Sequence, residues 1–269
     1  MNDAVIKRGD LDVLFRPRSV AVMGASSDEK KIGGRPIFYL KHYNYAGDIY
    51  PINPNYEEVQ GVKAYKSLAD IPGEVDLALI ALPSTMVEDA VTACAKKGVK
   101  ATVIFSSGFA ETGSEGEAAQ ARLLEIAGAS GMRIMGPNCM GLAGFGSRMI
   151  MTFGFSMETK PPELGPIGII SQSGAYGSVA YYEARDRQLG VSLWATTGNE
   201  SDIGLAEILE YYANDDEIKV MLLYMEGCKD GTGFMRGLEA ARVAGKPVIV
   251  TKVGASDIGA EAALSHRER

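Results

Sequence analysis

The stretch Gly165-Pro-Ile-Gly-Ile-Ile-Ser-Gln-Ser-Gly-Ala175 decides the fold of this chain. An aliphatic run breaks at Ser171 into a small-residue turn, and a helical pattern starts at Gly174, so the order is strand, tight turn, helix. At such a junction the first N–H groups of the helix have no partner within it, and the helix dipole adds partial positive charge there. Ser171, Gln172, Ser173 and Gly174 therefore form a candidate anion site. The serines can cap the helix or donate to a ligand, and Gly174 lets an anion reach the backbone. A serine nucleophile is a poorer reading, because Ser173 stands in Gln-Ser-Gly and not in Gly-x-Ser-x-Gly.

Outward from this unit the same alternation repeats. Strands are predicted at 19–23, 48–52, 77–81, 102–105 and 133–135, with helices over 33–43, 85–97 and 115–130. Further strands follow at 167–171, 191–196, 219–224 and 247–252, with helices over 174–189, 202–213 and 233–244. Strict alternation means a parallel, doubly wound sheet, here twice. It lapses between Gly146 and Pro166, around RMIMTFGFSMETKPPELGP, which places a boundary between domains 1–145 and 146–269.

Composition agrees with two α/β domains: 269 residues with 46% hydrophobic content can bury two cores. The 27 basic and 34 acidic residues give a net charge of −7, and no basic block stands out, which argues against a nucleic-acid partner. No apolar run is long enough for a membrane span, and the N-terminus lacks a signal-peptide pattern, so a soluble cytoplasmic protein is expected. Cys94, Cys139 and Cys228 lie far apart, which suits free thiols and indicates neither a metal site nor a disulfide framework.

Gly24-Ala25-Ser26 follows the first strand, where doubly wound sheets carry a phosphate-binding turn. Gly24 is in register for a dinucleotide fingerprint, but Gly33 and Gly34 come too late. The second strand also ends in Asn53-Pro54-Asn55, with no carboxylate for a ribose. These features favour another adenosine phosphate ligand over NAD. Lys30, Lys31 and Arg35 are either cations for a highly charged ligand such as coenzyme A or a solvated basic patch. Loops 82–84, 106–109 and 136–141 fall at the same strand ends, and Cys139 among them reads as a structural thiol. In the second half Asn199, Asp202 and Glu226 are expected at one edge. His42 reads as packing. His266 reads either as an inert terminal residue or as a phosphoryl carrier, with Glu226 as the candidate orienter of its ring.

The ordered strings resemble one family. They are FRPRSVAVMGAS (15–26), GDIYPINPN (47–55), GVKAYKSLADIP (61–72), DLALIALPS (76–84), SSGFAETGSEG (106–116), GPNCMG (136–141), GIISQSGA (168–175), GNESDI (198–203), YMEG (224–227) and KPVIVTKVG (246–254). Together they are similar to the NDP-forming acyl-CoA synthetases, on the side of the ADP-forming acetate-CoA ligases and the succinyl-CoA synthetase α-subunit. The resemblance implies an N-terminal Rossmann-like CoA-binding domain followed by a flavodoxin-like doubly wound domain. It also implies CoA near Gly24, Ala25, Ser26, Asn53, Pro54, Pro83, Ser106, Pro137 and Asn138. In the second domain it implies an acyl phosphate or phosphohistidine held by Ser171 to Gly174, with His266 as phosphate carrier steadied by Glu226. ATP, ADP and magnesium would enter only through an ATP-grasp β-type partner, in an oligomer. The family continues beyond its Ser-His pair, whereas here Ser265-His266 is followed only by Arg267-Glu268-Arg269, so a truncated piece or a subunit needing a partner is expected. A second reading from the same resemblance is a non-catalytic acyl-CoA-sensing module, as in some protein acetyltransferases.

Overall fold

The computed structural model describes residues 11–158 and 163–254. After a short α1 (Asp12–Phe15), the chain alternates β1 (Ser19–Met23), α2 (Arg35–His42) and β2 (Asp48–Ile52). A small antiparallel hairpin, β3 (Glu58–Val59) with β4 (Val62–Lys63), precedes β5 (Leu77–Ile80), α3 (Val87–Lys97), β6 (Ala101–Ile104), α4 (Ser114–Ser130) and β7 (Arg133–Met135). The first sheet has the order β2-β1-β5-β6-β7 and is parallel throughout. Successive side chains alternate between its faces. Val20, Val22, Leu77, Leu79 and Val103 join one core, while Ala21, Met23, Ala78 and Ile80 join another with Val87, Val91 and Cys94 of α3 and Leu123 of α4. Both faces are covered along β1 and β5, so these strands read as nearly continuous apolar runs.

The second half contains β8 (Gly141–Gly144), β9 (Met149–Thr152), β10 (Ile167–Ser171), α5 (Gly174–Asp186), β11 (Val191–Thr196), α6 (Leu205–Ala213), β12 (Val220–Met225), α7 (Gly231–Val243) and β13 (Val248–Lys252). Its sheet runs β13-β12-β10-β11-β8-β9. Strands β10 to β13 are parallel, and β8 and β9 add an antiparallel hairpin against β11. That hairpin occupies part of the stretch read from the sequence as a lapse. The expected boundary at 145/146 falls in its turn, while its hydrogen bonds tie both strands to the second sheet. The helix expected from 202 starts at Leu205, because Ser201–Gly204 is a loop bonded back to the first half.

The two halves share a core. Val20, Val22, Leu77 and Leu79 pack in one cluster with Leu142, Met149, Met151, Ile170 and Leu193. Tyr39 of α2 reaches across to donate to Gly154 O at 2.6 Å. Phe15 stacks on Tyr211, with ring centroids 5.4 Å apart. Arg16 donates to Asp215 at 2.7 Å and to Tyr211 Oη at 2.7 Å, while Arg133 forks onto Asp202 at 2.8 Å and Glu207 at 2.8 Å. These charge-assisted contacts tie the segment after α1 and the start of β7 to α6 and the loops on either side of it. Among the described residues no helix is long and apolar enough to cross a membrane.

Candidate functional site

Both sheets change winding direction, the first between β1 and β5 and the second between β10 and β12. Loops at the carboxyl ends of strands flanking such a point form the binding crevice of doubly wound sheets. In the first sheet the crevice opens on Gly24, whose φ of +84° suits glycine and whose Cβ, if present, would stand 2.3 Å from Ala81 O. The backbone can therefore pass β5 closely only without a side chain. Gly33 and Gly34, too late for a dinucleotide fingerprint, close the loop from behind: a Cβ on Gly33 would lie 2.0 Å from Gly24 O. Asn53 Nδ2 donates to Ala25 O at 2.8 Å, Ser106 Oγ donates to Leu82 O at 2.5 Å, and Asn138 N donates to Ser106 O at 2.9 Å. Gly24, Ala25, Ser26, Asn53, Ser106 and Asn138 are thereby linked along one edge, with Pro54 and Pro83 exposed beside them. Lys30 and Lys31 are exposed there too. Arg35 is not available: it is 2% exposed, paired with Glu158 at 2.6 Å and set 4.1 Å over the Phe155 ring.

The second crevice meets this edge. The peptide Gly136–Pro137 is cis, and the loop it opens interlocks with 198–201. Asn199 N donates to Pro137 O at 2.9 Å, Ser201 N to Gly136 O at 3.0 Å, and Asn138 Nδ2 to Asn199 Oδ1 at 3.3 Å. Gly198 is required at this crossing, since a Cβ there would lie 2.4 Å from Asn138 O. Between these loops and the start of α5 lies a cleft of about 210 Å³ lined by Asn138, Ser173, Gly174, Ala175, Asn199 and Glu226, among others. Ser173 caps α5 by accepting from Tyr176 N at 3.3 Å, which leaves the amides of Gly174 and Ala175 at the helix end without an intrahelical acceptor. The combination of open amides, helix dipole and a nearby carboxylate can hold an anion on one side and orient a protonated ring on the other. Cys139 at the margin is buried, donates to Ile104 O at 3.4 Å, and has its thiol pushed up to about 12 by desolvation, as befits a structural thiol. His42 packs against Phe38 and Tyr43.

Two members of the expected anion set are placed otherwise. Ser171 is fully buried and its hydroxyl donates to Ser173 O at 2.5 Å, so it braces the turn from below. Gln172 is 6% exposed, and its amide is fully used. It donates to Glu200 Oε2 at 2.9 Å and Gly227 O at 2.8 Å, and accepts from Glu226 N at 2.6 Å and Gly227 N at 2.9 Å. An amide offers two donors and an acceptor oxygen with two lone pairs, so nothing remains for an anion. Gln172 instead clamps the loop that carries Glu226. Asp202, expected at the same edge, is bound to Arg133 and to Ile134 N at 2.9 Å.

The sequence reading gave no role to Glu200. Its carboxylate accepts from Thr197 Oγ1 at 2.8 Å, Leu205 N at 2.9 Å and Gln172 Nε2. Desolvation raises its pKa, against the opposing pull of Leu205 N, Thr197, Gln172 and the Lys229 charge. The chain Glu200–Gln172–Glu226 therefore fixes the cleft wall from beneath. Only a Glu at φ +50° between Asn199 and Ser201 betrays it, and that angle is not written in the sequence. Lys252 Nζ donates to Glu226 O at 3.0 Å and Val253 N to Met225 O at 3.1 Å, so the end of β13 lies against the Glu226 loop. His266 itself lies outside the described residues.

Residues 18–144 match the CoA binding domain, and residues 164–269 match the succinyl-CoA ligase like flavodoxin domain. The α subunit of ADP-forming acetate–CoA ligase II of Pyrococcus furiosus is 45% identical over 258 residues, covering 95% of this chain and 54% of that one. The 4-hydroxybutyrate–CoA ligase [ADP-forming] of Nitrosopumilus maritimus is 33% identical over 254 residues, covering 94% of this chain and 36% of that one. The dinucleotide forming acetyl-coenzyme A synthetase 1 of Ca. Korarchaeum cryptofilum, solved with phosphate and ADP, superposes with a TM-score of 0.88 at 37% identity, over 96% of this chain and 55% of that one. The chain thus spans about half the length of the α subunit and of the synthetase it matches, and a smaller share of longer relatives. With a CoA binding domain and a succinyl-CoA ligase like flavodoxin domain in that order, the chain belongs to the NDP-forming acyl-CoA synthetase family.

Proposed function

We propose that this chain is the CoA-binding and phosphoryl-transfer part of an ADP-forming acyl-CoA synthetase, an acid–thiol ligase completed by an ATP-grasp partner. The observation that carries this reading is the convergence, in one cleft, of the open end of α5, the Asn138 loop from the first sheet and the Glu226 loop. CoA would lie along Gly24, Ala25, Ser26, Asn53, Pro54, Pro83 and Ser106, and pass the Pro137–Asn138 loop to bring its thioester to the cleft. Phosphate held on the Gly174 and Ala175 amides attacks the thioester carbonyl carbon. The C–S bond breaks, the CoA thiolate leaves and takes a proton, and acyl phosphate forms. A His266 ring nitrogen then attacks phosphorus and releases the carboxylate, while Glu226 accepts the N–H of the other nitrogen and offsets the ring's charge. The phosphoryl group passes to ADP, with magnesium, on the partner. Every step reverses when acid, CoA and ATP are supplied.

The test is acid-labile phosphate on the chain. With an ATP-grasp partner and terminally labelled ATP, label should enter the wild type and be lost in His266→Ala. A chain that binds acyl-CoA yet never takes up label behaves as the sensing module instead.

A further inference from the structure

One side chain joins the edge of the first sheet to the cleft at the head of α5. Asn199 lies in the loop after β11 and lines that cleft with Asn138, Gly174 and Glu226. Its Nδ2 donates twice to the first half of the chain, to Glu111 Oε2 and to Gln120 Oε1 at 3.1 Å. Its Oδ1 accepts from Asn138 Nδ2, and its backbone oxygen accepts from Lys229 Nζ at 2.6 Å, close to the loop that carries Glu226. Glu111 carries the link onward, since its other oxygen accepts from Gly108 N at 2.6 Å. Gly108, at φ +100°, stands two residues after Ser106 in a loop of the first sheet's binding edge. A continuous row of bonds therefore runs from Gly108 through Glu111 and Asn199 to Asn138.

The direction of these bonds says how Asn199 acts. Both of its amide hydrogens are taken by acceptors of the first half, so the side chain has no donor left for a phosphate. Glu111 is likewise held by one N–H group on each oxygen. We infer that Asn199 is a positioning residue, and that together with Glu111 it sets the thioester end of CoA in line with the phosphate at the head of α5. The inference rests on the function proposed above and adds to it two residues that act through their neighbours. Alignment on this scale decides rate: a displacement of about 1 Å between reacting groups costs on the order of 100-fold. Breaking the joint should therefore lower kcat while each ligand still binds its own half of the chain.

Bond polarity supplies the test. Asn199→Asp sets an acceptor against the Glu111 carboxylate, and Glu111→Gln cannot accept from both Gly108 N and Asn199 Nδ2. In the double variant the new amide keeps its oxygen on Gly108 N and donates to the new carboxylate, so the joint re-forms with its direction reversed. The chain is assembled with its ATP-grasp partner, and release of CoA thiol from acetyl-CoA is followed with phosphate, ADP and magnesium. In each single variant kcat should fall at least ten-fold, and in the double variant it should return to within three-fold of the wild type. Calorimetric Kd values for CoA and for phosphate should stay within three-fold throughout. A smaller loss of kcat in either single variant, no recovery in the double variant, or a loss carried by the Kd values overturns the inference. Single variants that do not fold, judged by Trp194 fluorescence, would make the pair a structural support and overturn it too. A wild type that binds CoA yet releases no thiol overturns the proposed function, and the inference with it.

Discussion

Replacing Gln172 by alanine removes both donors and both acceptor contacts that join Glu200 to the loop carrying Glu226 and Gly227. Each neutral bond contributes about 1 kcal/mol and the charge-assisted bond to Glu200 about 2 kcal/mol, so the gross loss is about 5 kcal/mol. Residues 226–228 reach water, which can satisfy part of what is freed, leaving an expected cost of about 3 kcal/mol. Trp194, the only tryptophan, is fully buried in the second sheet and reports its unfolding in urea by fluorescence. The same variant should loosen the cleft wall, seen as faster hydrogen exchange at 225–228 and at least ten-fold weaker phosphate binding. In a double-mutant cycle with Glu200→Ala, the two changes should couple by about 1.5 kcal/mol, because they share one bond network. A loss below about 1 kcal/mol with unchanged exchange at 225–228 would refute the clamp.

Three further outcomes follow from other parts of the molecule. Burial would raise the pKa of Asp76, but the Lys100 ammonium at 2.7 Å and the Arg18 N–H groups outweigh it and hold the carboxyl at about 2, below its ordinary 3.8. The native state therefore binds fewer protons, and about 2 kcal/mol of stability present above pH 4 is lost as pH falls toward 2; Asp76→Asn should flatten that limb of the urea stability curve. Gly24→Ala forces a side chain into φ +84° and to within 2.3 Å of Ala81 O, so CoA affinity measured by calorimetry should fall at least ten-fold. Arg133→Met strands two carboxylates at the joint between the sheets and should cost about 3 kcal/mol in urea unfolding, with Asp202→Asn in the same chain recovering part of it.

The alternation of apolar runs and helical patterns made the parallel strands of both sheets legible, because central strands such as β1, β5 and β10, buried on both faces, are dominated by aliphatic residues. The β8–β9 hairpin was not legible. Gly141-Leu-Ala-Gly144 lacks β-branched residues, and Gly141 is there because Met151 O would otherwise lie 2.0 Å from its Cβ, a tertiary demand with no local signature. The turn at 171–174 announced an anion site, and at that helix end Ser173 caps Tyr176 N while the amides of Gly174 and Ala175 have no intrahelical acceptor. Ser171 and Gln172 look equally suitable as letters, yet one is turned inward and the other is consumed by partners 28 and 55 residues away. Asp202 likewise sits in a loop at the right edge but is claimed by Arg133 from the other half of the chain. What the sequence withholds is which polar groups have already spent their hydrogen bonds.

The central claim is that the first sheet edge is built for CoA and the adjoining α5 cleft for its acyl phosphate. Calorimetric titration of the purified chain with CoA, and separately with NAD, tests it most directly. One CoA site per chain is predicted, weakened at least ten-fold in Gly24→Ala, with no heat of binding from NAD. Saturable NAD binding without CoA binding would contradict the account.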